Sequence, residues 1–534
     1  MKNEYVLGIN IGLHDSSAAI VKDGLLIAMS DQERFSRNKS AINESPIDAI
    51  KFCLEKAKIS IDDLDAIALG TDVELLNKWL CLSEEEMKSR IKLDDIDRLF
   101  PKDKFKYKKL PKIVYVNHHL AHAASAFRAS GFDDAAILVV DNRGEDVSTS
   151  LAFGKGKEIC FLKQYGVSHS LGLYYRVAAQ YAGLCGKYRE VGKFMGLASY
   201  GVPNQKVPLI YDNGPKFTDD DFSELRGLEI PPKCTEQLMT YFKENCFPYT
   251  AENYDEVMSY ANFAASVQKS LEDILLALCK DLKEMTGVSN LVIAGGVALN
   301  CSANGVISES NIFKNIFIQP AAGDAGTALG AALEVAGMLS PSNYNKFVMN
   351  HAYWGEEYTQ EQINVALDKA GLVYEVLAED ALLSKVADLL CEYYIIGWFQ
   401  GRYEIGPRAL GARSLIANPT KRDTLVRLNK IKNREMWRPI APSVLEDKFS
   451  DYFTGKHKSP FMLVASMVKK NVQKLIPAVV HIDGSARPQV VNRETNTLYY
   501  DLICEFEKRS GIPILANTSF NLQRKLRYRC IGTW

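Results

Sequence analysis

The stretch YVLGINIGLHDSSAAIVKDGLLIAMSDQERF, residues 5–35, contains three short runs of β-type residues. Gly12 lies between the first run and the second, and Asp23 with Gly24 lies between the second and the third. Glycine and Asp-Gly pairs favour turns between strands. The stretch therefore predicts a strand and a hairpin at the start of an α/β domain.

Predicted strands and helices alternate after this opening. Helices are predicted in IDAIKFCLEKAK (47–58), HLAHAASAFRAS (119–130) and NFAASVQKSLEDILLALCKDLKEMTG (262–287), and strands in DAIALG (65–70), KIVYV (112–116), AAILVV (135–140) and NLVIAGG (290–296). This alternation favours a mixed or parallel sheet that is covered on both faces. In such folds the chemistry lies at the carboxyl ends of the strands.

A change of pattern between Leu339 and Glu357 predicts a domain boundary. The segment LSPSNYNKFVMNHAYWGEE has no strong period and contains Pro, Asn and Ser. We therefore predict a first domain over 1–350 and a second over 358–534. Around a basic loop region, the second domain is expected to contain helices in 361–371 and 381–394, and strands in YEVLA (374–378), IIGWFQG (395–401), LVASMVK (463–469), IPAVVHID (476–483) and PILAN (513–517).

The composition excludes some classes of function. Lys and Arg total 64 against 65 for Asp and Glu, so the net charge of -1 gives no general affinity for nucleic acid. The first residues lack the pattern of a signal peptide, and no apolar stretch is long enough to span a bilayer. We expect a cytoplasmic protein with neither nucleic acid nor membrane as a partner. The 11 cysteines form no C-x-x-C pair, which predicts buried reduced thiols.

Four side chains of metal-ligand type come from three separated segments. His118 and His122 in NHHLAHAASAF are four residues apart and share one helical face. Asp141 follows an apolar strand, and Asp324 lies in the Gly-rich stretch QPAAGDAGTALGAAL. A single histidine would be an ordinary core or surface residue, but the pair on an Ala-rich helix has no packing role. A mixed nitrogen and oxygen set suits iron, manganese or zinc, so the sequence predicts a divalent metal site.

Three Gly-rich loops, residues 8–17, 294–300 and 321–330, predict nucleotide binding, because glycine allows the backbone to approach a phosphate closely. His14 and Asp15 lie in the first loop. One interpretation is a general base beside the metal, and the other is a turn that is capped by Asp15 and Ser16.

The second domain contains a cationic region. Many such side chains are solvated, but Arg408 follows a Gly-Pro turn, and Arg438 precedes PIAP, an apolar setting where an unpaired guanidinium is costly. An anionic ligand would remove that cost, and Arg487 with the run Asn517–Ser519 offers further phosphate contacts. The other candidates are Arg402, Arg413, Lys430, Lys432 and Arg434.

Together these motifs resemble the NodU/CmcH-type O-carbamoyltransferases of antibiotic and nodulation-factor biosynthesis. The similar segments are GINIGLHDSSAAIVKDG, NHHLAHAASAF, KFMGLASYG, LVIAGGVALN, QPAAGDAGTALGAAL, GRYEIGPRALGARS, REMWRPIAPSV, HIDGSARPQVV and ILANTSFN. They cover nearly all of residues 4–521. The resemblance implies an actin-like ATPase (ASKHA-type) duplicated α/β domain, followed by a YrdC-like α/β domain.

The resemblance also implies the reaction. The second domain would form carbamoyl adenylate and pyrophosphate from carbamoyl phosphate and ATP with Mg, and the first would pass the carbamoyl group to a hydroxyl of a sugar or secondary metabolite. The oligomeric state stays open, with a homodimer as one possibility. The resemblance implies iron-type metal ligation by His118, His122, Asp141 and Asp324, and it implies that His14 lies near the acceptor. It implies adenylate contacts for Lys193, Gly295, Gly296 and Asn300. The carbamoyl phosphate and ATP pocket would be formed by Arg408, Lys432, Arg438, Arg487 and Ser519, of which Arg408, Lys432 and Arg438 would be catalytic.

The sequence departs from the family pattern in three places. After Asn521 it reads LQRKLRYRCIGTW where members continue with a Gly-Glu-Pro-Ile-Val-type segment, so we expect a truncated or frame-altered C-terminus. Asn142 stands where Gly is common and Asn262 where Asp is common, and both changes could alter the acceptor pocket.

Three alternative functions stay open. An actin-like-fold sugar kinase would share the Gly-rich loops without needing the histidine pair. A nucleotide-binding, catalytically impaired remnant would fit the altered C-terminus. A tRNA-modifying role is weaker, because the net charge offers little affinity for RNA.

Overall fold

The structure, a computed structural model, describes residues 3–12, 14–80, 94–184, 191–212, 214–217, 232–247, 256–339 and 346–521. The chain divides into two compact units. One comprises Met1–Ser36 with Ser40–Met349, and the other comprises Arg37–Lys39 with Asn350–Trp534.

The first unit contains strands and helices in alternation. Its strands are β1 (Tyr5–Asn10), β2 (Ser17–Lys22), β3 (Leu25–Asp31), β4 (Ala66–Leu69), β5 (Lys112–Tyr115), β6 (Asp134–Val140), β7 (Val147–Lys155), β8 (Glu158–Gly166), β9 (Leu209–Tyr211), β10 (Pro215–Phe217), β11 (Asn290–Ala294) and β12 (Asn315–Ile318). Its helices are α1 (Glu33–Ser36), α2 (Ile47–Ala57), α3 (Val73–Leu80), α4 (Ile96–Leu99), α5 (His118–Phe127), α6 (Leu171–Tyr181), α7 (Val191–Ala198), α8 (Pro232–Asn245), α9 (Ala261–Thr286), α10 (Cys301–Glu309) and α11 (Ala325–Leu339).

Two five-stranded sheets in this unit share one topology. In the first, β1 to β3 form an antiparallel meander and β4 and β5 run parallel to β1, in the order β3-β2-β1-β4-β5. In the second, β6 to β8 form the meander and β11 and β12 run parallel to β6, in the order β12-β11-β6-β7-β8. This repeated arrangement agrees with a duplicated α/β domain, so the predicted α/β fold class is confirmed.

Two helices connect the repeated halves. Helix α11 follows the second sheet but packs on β1, β2 and β4 of the first, whereas α5 follows the first sheet and packs on β6 and β11 of the second. A Cβ on Gly8 would lie 1.9 Å from the carbonyl oxygen of Ala328, and one on Gly330 would lie 1.7 Å from that of Ala121. These two glycines of the predicted phosphate loops therefore allow helix packing, which the sequence analysis did not predict.

The second unit is built on one mixed sheet. Its strands are β13 (Ile396–Phe399), β14 (Arg413–Ala417), β15 (Ala441–Leu445), β16 (Ser466–Met467), β17 (Ser485–Ala486), β18 (Gln489–Val491) and β19 (Ile514–Ser519), and its helices are α12 (Gln360–Lys369), α13 (Glu379–Cys391), α14 (Arg422–Ile431), α15 (Phe449–Tyr452) and α16 (Thr497–Ser510). The sheet order is β13-β14-β19-β15-β18. Helices α13 and α16 pack together, and Leu390, Trp398 and Phe506 lie in the core.

Two strand predictions in this unit are wrong. Residues 374–378 form no strand, and Val373 and Val376 beside and within them are exposed. Alternating residues alone do not make a strand without a paired neighbour. Residues 476–483 form turns around Pro477, which has no backbone N–H to donate. Conversely, β14 and β15 lie in the region that the sequence analysis assigned to a basic loop.

Four of the seven cysteines that the structure describes are buried, as the sequence predicts, namely Cys53, Cys246, Cys279 and Cys301. Cys391 and Cys504 are half-buried, and Cys160 is exposed. Burial raises the pKa of Cys279 to about 12. Across the part of the chain that the structure describes, no helix combines the length and the apolar character that crossing a bilayer requires.

Candidate functional site

The four predicted metal ligands lie together. One ligand atom from each of His118, His122, Asp141 and Asp324 falls within 4.8 Å of the other three. His118 Nε2 lies 3.1 Å from His122 Nε2, 3.6 Å from Asp141 Oδ2 and 3.7 Å from Asp324 Oδ1. Atoms that bind one ion at about 2.1 Å are separated by roughly 3 to 4 Å. The cluster therefore has the dimensions of a metal site.

The repeated topology explains why these residues meet. His118 and His122 lie on the helix that follows β5, the last strand of the first sheet, and Asp324 lies after β12, the corresponding strand of the second. Asp141 follows β6, and His14 follows the corresponding strand β1. The residues thus come from equivalent strand ends of the two halves, which the crossed packing of α5 and α11 brings together.

The donor chemistry of the cluster fits a cation. His118 Nδ1 lies 3.2 Å from the carbonyl oxygen of Gly70, to which it can only donate, so a neutral His118 has its lone pair on Nε2. Asp141 Oδ1 accepts a hydrogen bond from Gly296 N at 2.9 Å, and Oδ2 faces His118. His122 Nε2 lies 3.1 Å from His118 Nε2 and 3.8 Å from Asp324 Oδ1. One nitrogen or oxygen atom of each residue therefore faces the same point.

The charges of the cluster also favour a cation. Burial acts to lower the pKa of His118, but the hydrogen bond with Asp141 and the charges of Asp324, Asp141 and Glu145 raise it to about 9. Against the effect of burial, the histidines hold the pKa of Asp141 well below its usual range. The pKa of Asp324 is also lowered, because His122, His14 and His118 outweigh burial and the charge of Asp141. The buried carboxylate of Asp141 and the half-buried carboxylate of Asp324 require positive charge, which a divalent ion would supply.

His14 lies at the edge of the cluster. Its Nδ1 is 2.9 Å from Asp15 Oδ2 and 3.7 Å from Asp324 Oδ2. Its side chain is 28% exposed, whereas that of His122 is fully buried. The structure places His14 beside the ligand set and accessible, and its role toward the acceptor stays a prediction.

The residues that are predicted to contact the adenylate in the first unit do not all have the same kind of environment. Gly295 has a φ of +90°, and a Cβ there would lie 2.2 Å from the carbonyl oxygen of Val140. Asn300 caps α10 by accepting from Ala303 N at 3.0 Å, and it exchanges amide hydrogen bonds with Gln268 at 2.9 and 3.1 Å. Lys193 is half-buried on α7. The loop of Gly295 and Gly296 is thus beside the metal cluster, and ligand contacts stay a prediction.

In the second unit, Arg434 has two neighbouring guanidinium groups, those of Arg438 and Arg487. Burial, followed by the charge of Arg438 and that of Arg487, lowers the pKa of Arg434 to about 9, against the opposite effect of Glu435. Among the described residues, the buried Arg487 Nε has no hydrogen-bond partner. Arg408 is half-buried in the segment before β14. Neighbouring cations of this kind are suited to bind an anion.

Lys432 and Ser519, two other predicted residues, contact each other. The buried Lys432 Nζ lies 2.7 Å from the carbonyl oxygen and 3.2 Å from the Oγ of Ser519. It lies 2.9 Å from the carbonyl oxygen and 2.8 Å from the Oδ1 of Asn521. The ammonium group therefore holds the end of β19, and its proposed phosphate contact would require a change of partners.

Two arginines of the predicted cationic region bind backbone carbonyls instead of facing a ligand. Arg413 is fully buried, lies 3.6 Å from the centroid of the Phe399 ring, and donates to Gln400 O at 2.6 Å. Arg402 donates to Gly355 O at 2.8 Å and to Trp354 O at 2.6 Å. Their roles are structural, because these carbonyls accept from Nε and Nη2 of Arg402 and from Nη1 and Nη2 of Arg413.

Glu145 is a residue of the site that was not predicted from the sequence. This buried carboxylate accepts hydrogen bonds from Asp72 N, Asn117 Nδ2 and His118 N. The available signal was its position in DNRGED, four residues after Asp141.

Two of the three departures from the family pattern, Asn142 and Asn262, lie among the described residues. The carbonyl oxygen of Asn142 accepts from Ser170 Oγ at 2.6 Å, and Asn262 Oδ1 accepts from Val202 N at 2.8 Å. The predicted alteration after Asn521 lies outside the described residues.

Comparison with known proteins agrees with this arrangement. Residues 5–333 match the family model of the carbamoyltransferase N-terminus, and residues 387–526 match that of the carbamoyltransferase C-terminus. The uncharacterised protein sll1178 of Synechocystis sp. is 37% identical over 97% of this chain and 91% of its own, and nodulation protein NolNO of Sinorhizobium fredii is 36% identical over 96% and 75%. A crystal structure of HypF from T. kodakarensis, 14% identical, covers 64% of this chain and 49% of its own at a TM-score of 0.37, which is too distant to indicate an activity. The chain belongs to the carbamoyltransferase family.

Proposed function

We propose that the protein is an ATP- and metal-dependent O-carbamoyltransferase whose acceptor is a hydroxyl of a sugar or another secondary metabolite. The observation that supports this most directly is the convergence of His118, His122, Asp141 and Asp324 beside the accessible His14. A sugar kinase has no need of that histidine pair. Family membership supplies the carbamoyl group as the group transferred.

The proposal divides the reaction between the two parts of the chain. Residues 358–534, as a YrdC-like domain, would form carbamoyl adenylate from carbamoyl phosphate and ATP with Mg. In that step water cleaves carbamoyl phosphate at its O–P bond and releases phosphate, an oxygen of the resulting carbamate attacks the α-phosphorus of ATP, and pyrophosphate leaves. Several fixed cations are needed to hold these anions in line. The grouping of Arg434, Arg438 and Arg487 supports this assignment, and Arg408, Lys432 and Ser519 are the further proposed contacts.

Residues 1–350, as the actin-like domain, would then perform the transfer. The acceptor oxygen attacks the carbamoyl carbon, the bond from that carbon to the adenylate oxygen breaks, and AMP leaves. His14 would take the acceptor proton, and Lys193, Gly295, Gly296 and Asn300 would hold the adenylate. A divalent ion held by the four ligands, iron by the family resemblance, would polarise the carbamoyl carbonyl or neutralise the phosphate.

The test uses the full chain with Fe(II), Mg, ATP and ¹³C-labelled carbamoyl phosphate. Exchange of labelled pyrophosphate into ATP that depends on carbamoyl phosphate reports the first step. Mass spectrometry of a panel of sugars and aminoglycosides reports ¹³C-carbamoyl transfer. We expect His14→Asn to keep the exchange and to lower the transfer rate by about 10² to 10⁴.

The nucleotide products distinguish the alternatives. A sugar kinase would release ADP and a phosphorylated sugar, whereas the proposed reaction releases AMP and pyrophosphate. A nucleotide-binding remnant would bind ATP and form neither set of products. Formation of ADP, or the absence of carbamoyl-dependent exchange in the metal-loaded protein, would overturn the proposal.

A further inference from the structure

Glu145 is a buried carboxylate next to the four-residue cluster. It is 1% exposed. Its Oε1 accepts from Asp72 N at 2.7 Å and from His118 N at 3.0 Å, and its Oε2 accepts from Asn117 Nδ2 at 2.8 Å. One side chain thus joins the loop after β4, the start of α5 and the turn after β6.

The contact at α5 stabilises the start of the helix that carries both histidines. The first amides of a helix have no partner within the helix, and a negative charge there interacts favourably with the helix dipole. Asn117 caps the same end by accepting from Leu120 N at 3.1 Å, while its own amide donates to Glu145. Glu145 therefore fixes both the cap and His118, the first helical residue.

The turn that contains Glu145 also contains the ligand Asp141. Asp141 N donates to Ser148 O at 2.9 Å and Gly144 N donates to Val147 O at 2.7 Å, so the turn is held by its own backbone. A Cβ on Gly144 would lie 2.7 Å from His119 Cδ2, which shows how closely the turn lies against α5. The distance between Asp141 and the histidines consequently depends on how this turn is attached to the helix.

We propose that Glu145 is a positioning residue, whose carboxylate holds His118, and through α5 also His122, at the spacing from Asp141 that metal binding requires. The inference rests on the metal site of the proposed function, but not on the carbamoyl-transfer reaction. Among the described residues, Glu145 accepts hydrogen bonds from backbone amides and from the cap side chain of Asn117, so its effect on the metal is exerted through His118.

The test compares Glu145→Gln with Glu404→Gln in the full chain. In Glu145→Gln an amide group would face N–H donors and the negative charge would be lost, with little change of shape. Glu404 is the matched control, because it is also 1% exposed and accepts from the backbone amides of Leu410 and Ala412 in the second unit. Affinity for Mn(II) is measured by equilibrium dialysis, and amide hydrogen exchange of residues 117–127 is measured in metal-free protein.

We expect Glu145→Gln to weaken Mn(II) binding by about 10- to 100-fold and to speed exchange at residues 117–127, with neither change in Glu404→Gln. Unchanged affinity and exchange in Glu145→Gln, or equal losses in both variants, would overturn the inference. If the wild type bound no Mn(II), the metal site of the proposed function would be wrong, and the exchange data alone would decide the role of Glu145. If Glu145→Gln did not fold, Glu145→Asp, which keeps the charge on a shorter side chain, would take its place with the same expected outcomes.

Discussion

Arg128 and Glu334 form a buried ion pair between the two helices that bring the metal cluster together. Arg128 Nε and Nη2 donate to Glu334 Oε2 at 2.8 and 2.6 Å, and Nη2 also donates to Lys157 O at 2.8 Å. The side chains are only 3% and 10% exposed. Arg128 directly follows α5, which carries the histidines, and Glu334 lies on α11, which follows Asp324. The pair therefore holds together the elements that supply three of the four ligands.

Removal of Arg128 alone is expected to be costly. Arg128→Met would leave the Glu334 carboxylate buried without its cation, and we expect the free energy of unfolding to fall by about 3 to 5 kcal/mol. The double variant Arg128→Met/Glu334→Leu should recover most of that loss, because both charges are removed together. Urea denaturation measures both effects. A double variant as unstable as the single one would show that packing, and not the unpaired charge, determines the loss.

Gly330→Ala should affect both stability and metal affinity. Its Cβ would lie 1.7 Å from the carbonyl oxygen of Ala121, and only a shift between α5 and α11 could relieve this. Overpacking typically costs about 1 to 3 kcal/mol, and a shift of α5 would also move the histidines from Asp324. The control is Gly192→Ala on α7, where a Cβ would meet no atom of the described residues within 4 Å. That variant should gain up to about 1 kcal/mol from helix propensity in thermal unfolding, with unchanged metal affinity.

The features of the fold that the sequence predicted depend on local patterns. The hairpin opening at residues 5–35 and the helical spacing of His118 and His122 are visible within single segments. Strand β14 is different, because it pairs with β19, which lies about a hundred residues later in the chain. Residues 374–378 show the opposite case, in which a strand-like pattern lacks a paired neighbour. Non-local pairing decides such segments, and one sequence does not reveal it.

The same distinction applies to the candidate site. Strand ends and a helical face indicated the four ligands, and the repeated topology brings them together. Charge alone could not separate Arg413, whose Nη1 and Nη2 donate to backbone carbonyls, from Arg487, whose charge lowers the pKa of Arg434. The contacts of Glu145 join segments up to 73 positions apart in the chain, so its importance appears only in three dimensions.

Pyrophosphate should stabilise the protein through the arginine group. The lowered pKa of Arg434 reflects burial beside Arg438, an arrangement that a bound anion would relieve. A ligand at a hundred times its Kd adds about 2.7 kcal/mol to the free energy of unfolding, which a thermal shift measures readily. Arg487→Met should reduce the shift strongly. Lys430→Met should not, because Lys430 is exposed on α14. Equal shifts in both variants would place the anion elsewhere.

Removal of the metal should separate the two proposed steps. Protein freed of transition metal and then supplied with Mg is expected to keep carbamoyl-dependent pyrophosphate exchange, because the arginine group shares no residue with the four ligands. It should lose carbamoyl transfer, and Fe(II) should restore it. Asp324→Asn should behave like the metal-free protein even with Fe(II), because its neutral side chain weakens the ligand set and removes the negative charge beside His14.

Each outcome of that experiment identifies a different error. Loss of exchange together with transfer would mean that the ion also serves adenylate formation, against the proposed division between residues 1–350 and 358–534. Full carbamoyl transfer by protein that contains no transition metal would show that the four-residue cluster takes no part in catalysis. The variant His122→Ala then distinguishes loss of the ion from loss of the fold. His122 is fully buried, so a variant that melts at the same temperature as the wild type but cannot be reactivated by Fe(II) has lost metal ligation and not structure.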